Sequence, residues 1–340
     1  MAQPSKEIHS FSKGSPTPVL IVGAGPAGFM AGATLSLYGI PLRIIDKRPS
    51  PIQRGHASGL QPRTAEIFHS LGLPHELARY SNKMTETSFW FRENGELKRS
   101  KHSPEKDIFN PTNYPHVNIM HQGHTERIFV EDLSSRGVEV ERPVEFVGFE
   151  TSEHEEFPLN VRLKNLVSAM VEEVPVKHVL GCDGGRSTVR KSLKIESSVH
   201  QTSDSWAVAE VFAATNFLDA RRRKYEGKGS ELTNDKTVIG ILTDRAKSLL
   251  HPFKIEIKEV ESVRMYHIAQ RIADCFCDVD DRVFILGDAC HAHSPKAGRG
   301  MNVRMNDAYD LTWKLALTLR GRAKPSLLQT YQTERQYTTR

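Results

Sequence analysis

An α/β fold built on a largely parallel sheet, with a smaller β-sheet insertion, is what this sequence predicts, and three observations predict it. Apolar runs without polar alternation recur at 19–22, 42–45, 176–182 and 283–286, the pattern of strands buried on both faces. The first two runs are bridged by 26–38, whose apolar and small residues read as a helix, so the N-terminal part forms a βαβ unit. Two polar stretches, 81–115 and 199–278, interrupt the series and read as excursions into a second domain. The expected division is a discontinuous first domain over 17–80, 116–198 and 279–338, a reduced second domain over 81–115 and 199–278, and a disordered arm over 1–16.

The elements follow in chain order. The strand at 19–22 runs into a glycine turn and then the helix over 26–38, where Ala27, Gly28, Ala31 and Gly32 permit close approach to a strand. Gly39 stops that helix before the strand at 42–45, which ends at Asp46. Ala65, Ile67, Phe68 and Leu71 have helical spacing, and Gly72 supplies the stop. In the first excursion, alternation near Phe89-Trp90-Phe91 predicts a strand and Asn94-Gly95 a turn. Residues 122–133 return to a helix and 138–140 to a strand, and 144–167 predicts a hairpin with an acidic tip at Glu153, Glu155 and Glu156. The second excursion carries two predicted strands, 206–212 and 237–242. After the run at 283–286, Leu311, Trp313, Leu315, Ala316 and Leu319 mark a helix over 305–319.

Composition narrows the function classes. A chain of 340 residues with 38% hydrophobic and 26% charged residues suits a globular protein of two domains. Lys and Arg exceed Asp and Glu by 46 to 41, a balance that fits anionic small molecules rather than a nucleic-acid partner. The densest basic run, Arg221-Arg222-Arg223-Lys224, has no interleaved aromatics and reads as a solvated loop. Cys182, Cys275, Cys277 and Cys290 form no C-x-x-C pair, and reduced thiols in a cytoplasmic protein are expected. No segment has the apolar length of a signal peptide or a membrane span.

Three stretches carry the chemistry. In Val22-Gly23-Ala24-Gly25-Pro26-Ala27-Gly28, a Gly-x-Gly-x-x-Gly turn sits between a buried strand and a small-residue helix, with Asp46 at the end of the next strand. Gly23 makes the tight turn, Gly25 lets the backbone approach a pyrophosphate, and Gly28 lets the helix pack closely. The helix N-terminus offers N–H groups to the phosphates, and Asp46 would accept from ribose hydroxyls. The second stretch, Gly181-Cys182-Asp183-Gly184-Gly185-Arg186-Ser187, fits an ordinary strand end as well as it fits a binding turn. The third, Gly287-Asp288-Ala289, places a carboxylate at a buried strand end, before His293-Ser294-Pro295 and Gly298-Arg299-Gly300-Met301-Asn302. That carboxylate is suited to a ribityl or ribose hydroxyl. Cys290, His291 and His293 invite a metal, but their spacing lacks a fourth ligand, and no metal is expected.

Together these stretches resemble the three fingerprints of the FAD-dependent aromatic hydroxylases, the class A flavoprotein monooxygenases, and within them the fungal phenol 2-monooxygenase-like branch. The resemblance runs from about Pro18 to Arg335 and is weakest between about Ala220 and Val263. It implies a Rossmann-like FAD/NAD(P)-binding domain with an inserted, smaller β-sheet substrate domain. The segment from Arg54 to Thr64, with Ser58 inside it, resembles the family's loop at the flavin and substrate edge. Gln122 aligns with a flavin-contacting glutamine, and Arg190 with the arginine that closes the Asp-Gly motif. The cofactor residues so implied are Gly23, Gly25, Ala27, Gly28, Asp46, Lys47, Arg54, Gln122, Asp183, Gly184, Arg190, Gly287, Asp288, Pro295, Gly298, Gly300, Met301 and Asn302. Pro295, through its backbone carbonyl, and Ser58 take the catalytic positions.

The implied activity is monooxygenation of a phenolic or polyketide-derived aromatic, with secondary metabolism as one setting. NADPH or NADH reduces FAD, O2 adds to give a flavin C4a-hydroperoxide, and the aromatic ring attacks its distal oxygen. The loop at 298–302 would stabilise negative charge on the reduced ring. The partners are a small aromatic substrate and O2, with no nucleic acid, no membrane span, and a homodimer left open.

Departures from the family pattern keep a rival in view. Ser58 stands where relatives often carry aspartate, Arg299 replaces a usual glutamine, and Arg304 sits where a small residue is common. Residues 222–235 lack strand periodicity where relatives supply long substrate-lining strands, and the chain stops at Arg340 where relatives continue. A truncated flavin-binding remnant without coupled hydroxylation is therefore the alternative. A disulfide reductase or a simple NAD dehydrogenase is disfavoured by the missing C-x-x-x-x-C and by the Gly287-Asp288 motif.

Overall fold

A computed structural model describes residues 14–52, 59–100, 103–104, 111–217, 219, 236–292 and 300–339. The chain forms two compact units, one comprising Met1–Asn82, Asn118–Val199 and Gln270–Arg340, the other Lys83–Val117 and His200–Ala269.

The first unit is built on strands β1 (Thr17–Val22), β2 (Leu42–Ile45), β3 (Val140–Glu141), β4 (Val144–Thr151), β5 (Leu159–Asn165), β6 (Val171–Gly181) and β7 (Val283–Ile285). They lie in the order β3-β2-β1-β6-β5-β4, with β7 also paired to β6. The pairs β3/β2, β2/β1, β1/β6 and β6/β7 are parallel, whereas β6/β5 and β5/β4 are antiparallel. The strand β6 joins the two regimes. Its N-terminal part, Val171 to Val176, runs against β5, and Val179 to Gly181 lies between β1 and β7. The expected hairpin at 144–167 is thus β4 and β5, with Glu153, Glu155 and Glu156 exposed at its tip.

Helix α1 (Pro26–Leu37) is buried on all sides from Pro26 through Leu35, which explains its lack of amphipathic periodicity. It is followed by α2 (Pro62–Ser70), α3 (Pro74–Tyr80), α4 (Gln122–Ser135), α5 (Thr188–Ser192), α6 (Gly300–Leu319) and α7 (Thr330–Thr339). Helix α1 packs on α4 and α6. Phe29 stacks on Phe129 at 6.2 Å between ring centroids, and Phe68 tilts against Phe129 at 5.0 Å. All three rings are fully buried, each contributing about 1.5–3 kcal/mol of burial. A Cβ at Gly32 would lie 2.6 Å from Ile44 Cδ1, so glycine is what lets α1 approach β2. Helix α6 begins five residues earlier than its apolar stripe announced, because the apolar residues of Gly300 to Arg304, Met301 and Val303, stand two positions apart and carry no helical period.

The second unit contains most of the strands Ser197–Thr215 and Ile255–Ala273, which pair with each other and run at one end into the first unit, and the hairpin Trp90–Glu93 with Glu96–Arg99. Asn94 and Gly95 turn that hairpin with φ of 52° and 84°, the left-handed pair that a two-residue turn requires. Trp90, Phe217 and Phe253 form an aromatic cluster, and the Trp90 indole N–H donates to Asp219 at 2.8 Å.

Two expectations need correction. Residues 237–242 are not a strand but the start of a helix, Lys236–Leu250. The β-branched run is locally strand-like, yet the less exposed positions Ile239, Leu242, Thr243, Ala246, Leu249 and Leu250 recur at helical spacing over the longer window. The boundary between units falls at Gln270 rather than after residue 278, since Ala273 and Phe276 are fully buried and Ala273 N–H donates to the Cys290 carbonyl at 2.7 Å. Most of the arm expected over 1–16, and the polar stretch 222–235, lie outside the described residues.

Candidate cofactor site

The glycine turn after β1 is shaped by the strands on either side. Gly23 has φ of 104°, and a Cβ there would lie 2.5 Å from the Cys182 carbonyl oxygen, so the turn between β1 and β6 admits only glycine. At Gly28 a Cβ would overlap the Gly23 carbonyl oxygen. Gly25 differs, because a Cβ there would meet nothing within 4 Å. The space beside it is open, and no side chain caps the N-terminus of α1, which begins with Pro26. Unmet N–H groups beside an open space on a helix N-terminus suit a phosphate.

Asp46 lies next to this turn and is 5% exposed. Its Oδ2 accepts from Ala24 N–H at 2.7 Å and from Arg48 Nη2 at 3.1 Å, and Oδ1 accepts from Arg48 N–H at 2.7 Å and Arg48 Nε at 3.1 Å. Arg142 Nη1 adds an ion pair to Oδ1 at 3.3 Å. Burial works against ionisation of Asp46, but the hydrogen bonds and charge of Arg48 outweigh it and hold the carboxyl below its ordinary range. A carboxylate offers about four acceptor positions, so Asp46 is saturated while Arg48 covers it. A ribose hydroxyl at Asp46 therefore competes with Arg48. Lys47 is exposed and takes no part in these contacts.

Behind Arg48 and Arg142 lies Glu126, which is 1% exposed. It accepts from Gln122 Nε2 at 3.0 Å and from Ile52 N–H at 3.1 Å. Burial raises its pKa, opposed by those hydrogen bonds and by the two arginines. Gln122 is thus held in place by its i+4 neighbour on α4.

The Asp183-Gly184 turn closes on itself and on the third stretch. Asp183 Oδ2 accepts from Thr188 and Val189 N–H at 2.6 and 3.2 Å, at the start of α5. Its Oδ1 is buried and has no hydrogen-bond partner among the described residues. Gly184 has φ of 85°. Arg190 donates to the Gly185 carbonyl at 3.0 Å and to the Ala289 carbonyl at 2.7 Å, tying this turn to the Gly287-Asp288 turn. Burial and the nearby charge of Arg271, which also donates to the Gly185 carbonyl, lower the pKa of Arg190.

Gly287 has φ of 61° and begins a short 3-10 turn, and Asp288 pairs with Arg304 Nε at 2.5 Å. Burial pushes the Asp288 carboxyl upward, with the Arg304 charge acting against it. Met301 and Asn302 are buried at the start of α6. Asn302 accepts from Gln61 N–H and Thr64 Oγ1 and donates to the Gly59 carbonyl, all at 2.8 Å, so it anchors the segment 59–64 to α6. Among the described residues, no three His, Cys, Asp or Glu side chains are grouped to hold a metal ion.

The structure brings Gly23, Gly25, Ala27, Gly28 and Asp46 together at one turn, and Asp183, Gly184, Arg190, Gly287 and Asp288 at another. A Cβ at Gly287 would lie 3.3 Å from that of Ala27, which joins the two turns. Arg54, Ser58, Pro295 and Gly298 lie outside the described residues. Arg48, Glu126, Arg142 and Arg271 were missed from sequence. Arg48 and Glu126 had a signal, two residues past Asp46 and one helical turn past Gln122. Arg142 and Arg271 are brought in by strand pairing and had none.

A dinucleotide turn after the first strand of a mainly parallel sheet, an Asp-Gly turn and a Gly-Asp turn on adjacent strand ends define a dinucleotide-binding α/β protein, and an FAD-type cofactor fits the open Gly25 space. The chain belongs to the FAD binding domain family, whose profile matches residues 16–231 and 228–340. It is 35% identical to the FAD-dependent monooxygenase terD of Aspergillus terreus, over 94% of this chain and 56% of that protein. It is 31% identical to the 3-hydroxybenzoate 4-monooxygenase of Comamonas testosteroni, over 98% and 60% of the two chains. In fold it is similar to the flavin-dependent monooxygenase PieE, solved with FAD and substrate, with a TM-score of 0.78 at 23% identity over 94% of this chain and 61% of that one. The resemblance to FAD-dependent aromatic hydroxylases thus holds. The chain spans less than two thirds of the length of each of these relatives.

Proposed function

We propose that this chain is an FAD-dependent monooxygenase that consumes NAD(P)H and hydroxylates a phenolic or polyketide-derived aromatic. The observation that carries the reading is the open, uncapped phosphate space at Gly25, joined through Ala27 and Gly287 to the Asp288 turn. When bound, FAD supplies electron transfer from NAD(P)H and activation of O2. The residues of this chain bind and orient it. The Gly25 space and the first turn of α1 take the diphosphate, Asp288 takes a hydroxyl of the sugar chain, and the start of α6 at Gly300 to Asn302 faces the electron-rich edge of the ring. Pro295 and Ser58 keep the catalytic positions that the resemblance gives them. All four cysteines are free, Cys182 and Cys290 buried, which supports a reducing, cytoplasmic setting. Among the described residues no helix is long and apolar enough to cross a membrane.

The test is a purified chain with FAD, in which NADPH or NADH oxidation, hydroxylated product and hydrogen peroxide are measured against a panel of phenols. A bound flavin spectrum and product formation that tracks NAD(P)H consumption are expected. Bound flavin with NAD(P)H oxidation that yields only peroxide, for every phenol, would replace this reading with that of a flavin-binding remnant.

A further inference from the structure

We infer that Arg304 is a phosphate-binding residue of this site, one that holds the diphosphate of FAD together with the first turn of α1; the inference rests on the FAD reading above. The stem of Arg304 lies along Gly287, where a Cβ would be 3.1 Å from Arg304 Cγ and 3.2 Å from its Cβ. The same glycine lies against Ala27 in the first turn of α1, as described above, so the arginine stands beside the phosphate space at Gly25. At its far end, Nη2 would be 3.4 Å from a Cβ at Gly300, the first residue of α6.

An arginine carries five N–H donors in a fixed fork. Here Nε is committed to Asp288, and the two terminal nitrogens have no hydrogen-bond partner among the described residues. The side chain is 30% exposed, so those four donors are recessed yet reachable. A counter-ion for Asp288 alone needs no more than Nε. The remaining fork, with Nη2 beside Gly300 and its stem on the glycine that meets Ala27, matches a doubly charged oxyanion, which takes parallel charge-assisted hydrogen bonds from a guanidinium. The ion pair with Asp288 aims the fork before the ligand arrives, and so lowers the ordering cost on binding.

The experiment is an FAD titration of the full chain, read by flavin fluorescence, for wild type, Arg304→Met and Arg304→Lys at low and high salt, with riboflavin as the phosphate-free probe. Methionine keeps the stem on Gly287 and removes the cation, and lysine keeps the charge. Arg304→Met is expected to lose about tenfold to a hundredfold in FAD affinity, and Arg304→Lys, which keeps the charge without the fork, about threefold to tenfold. The salt dependence of FAD binding should flatten in Arg304→Met, and any riboflavin affinity should be the same in all three proteins. Melting without FAD checks that each variant is folded; should Arg304→Met fail to fold, Arg304→Gln takes its place with the same expectation. Unchanged or tighter FAD binding by a folded, charge-free variant would overturn the inference, leaving Arg304 as a counter-ion of Asp288 or an obstacle. FAD binding absent from wild type would overturn the FAD reading itself and this inference with it, which separates the two failures.

Discussion

At Asp46 and at Asp288 the chain presents a carboxylate at the end of a buried strand, and it treats the two in opposite ways. Around Asp46, Ala24, Arg48 and Arg142 supply donors to both oxygens, and burial is outweighed so that the carboxyl is held below its ordinary range. Around Asp288 one arginine supplies one contact, and burial wins, so that the carboxyl is pushed upward. The same contrast holds between glycines, Gly28 being filled by the Gly23 carbonyl and Gly25 being open. One part of the site is completed by the protein itself. The other keeps unmade contacts, and those are the places where a ligand gains binding energy without displacing anything.

The comparison breaks most sharply at the two glycines. Gly28→Ala puts a methyl group onto a backbone oxygen that cannot move without shifting β1, so it should cost about 3 kcal/mol or more of stability, seen as a lower urea midpoint with or without FAD. Gly25→Val should leave the urea midpoint of the FAD-free protein near that of wild type, yet abolish the flavin spectrum. Loss of folding in Gly25→Val and tolerance of Gly28→Ala would reverse the assignment of filled and open positions.

The next effect is on affinity. Asp288→Ala should weaken FAD binding by about tenfold to a hundredfold, the value of a hydrogen bond to a charged group. Because the folded-state pKa of Asp288 is raised, ionising it costs stability as pH rises through that value, so the FAD-free variant should be no less stable than wild type at neutral pH. Flavin retained in full after dilution would remove Asp288 from the site.

The effect at the other carboxylate is one of pH dependence. The pKa of Asp46 is lowered from 3.8, so its stabilisation is complete above that value and is lost as pH falls through the folded pKa. Asp46→Asn should cost about 1.5–3 kcal/mol at pH 7, and the deficit should shrink as the pH falls below 3.8. A deficit that stays constant down to acid pH would mean that Asp46 packs there as a neutral side chain, without the charge that Arg48 is held to stabilise.

Much of this was legible in the sequence because it is local. The buried strands, the turn at Gly23 to Gly28 and the stop at Gly39 each depend on residues a few positions apart. The Asn94-Gly95 hairpin was legible for the same reason. The helix Lys236–Leu250 was misread because four β-branched residues in a run of six, Thr237, Val238, Ile239 and Ile241, outweighed a stripe that only a longer window reveals. The start of α6 was set too late because Met301 and Val303, the apolar residues of its first turn, stand two positions apart and give no helical period.

What the sequence by itself determined is the set of chemical groups and their local turns: glycines where φ is positive, a helix N-terminus after a strand, and carboxylates at strand ends. What only the tertiary structure decided is which of those groups remain available. Arg142 reaches Asp46 because β3 pairs with β2, and Arg304 reaches Asp288 because α6 packs on α1 beside Gly287. Hydrogen-bond capacity is spent between residues about a hundred positions apart or on separate elements, and no local pattern records how much of it is left.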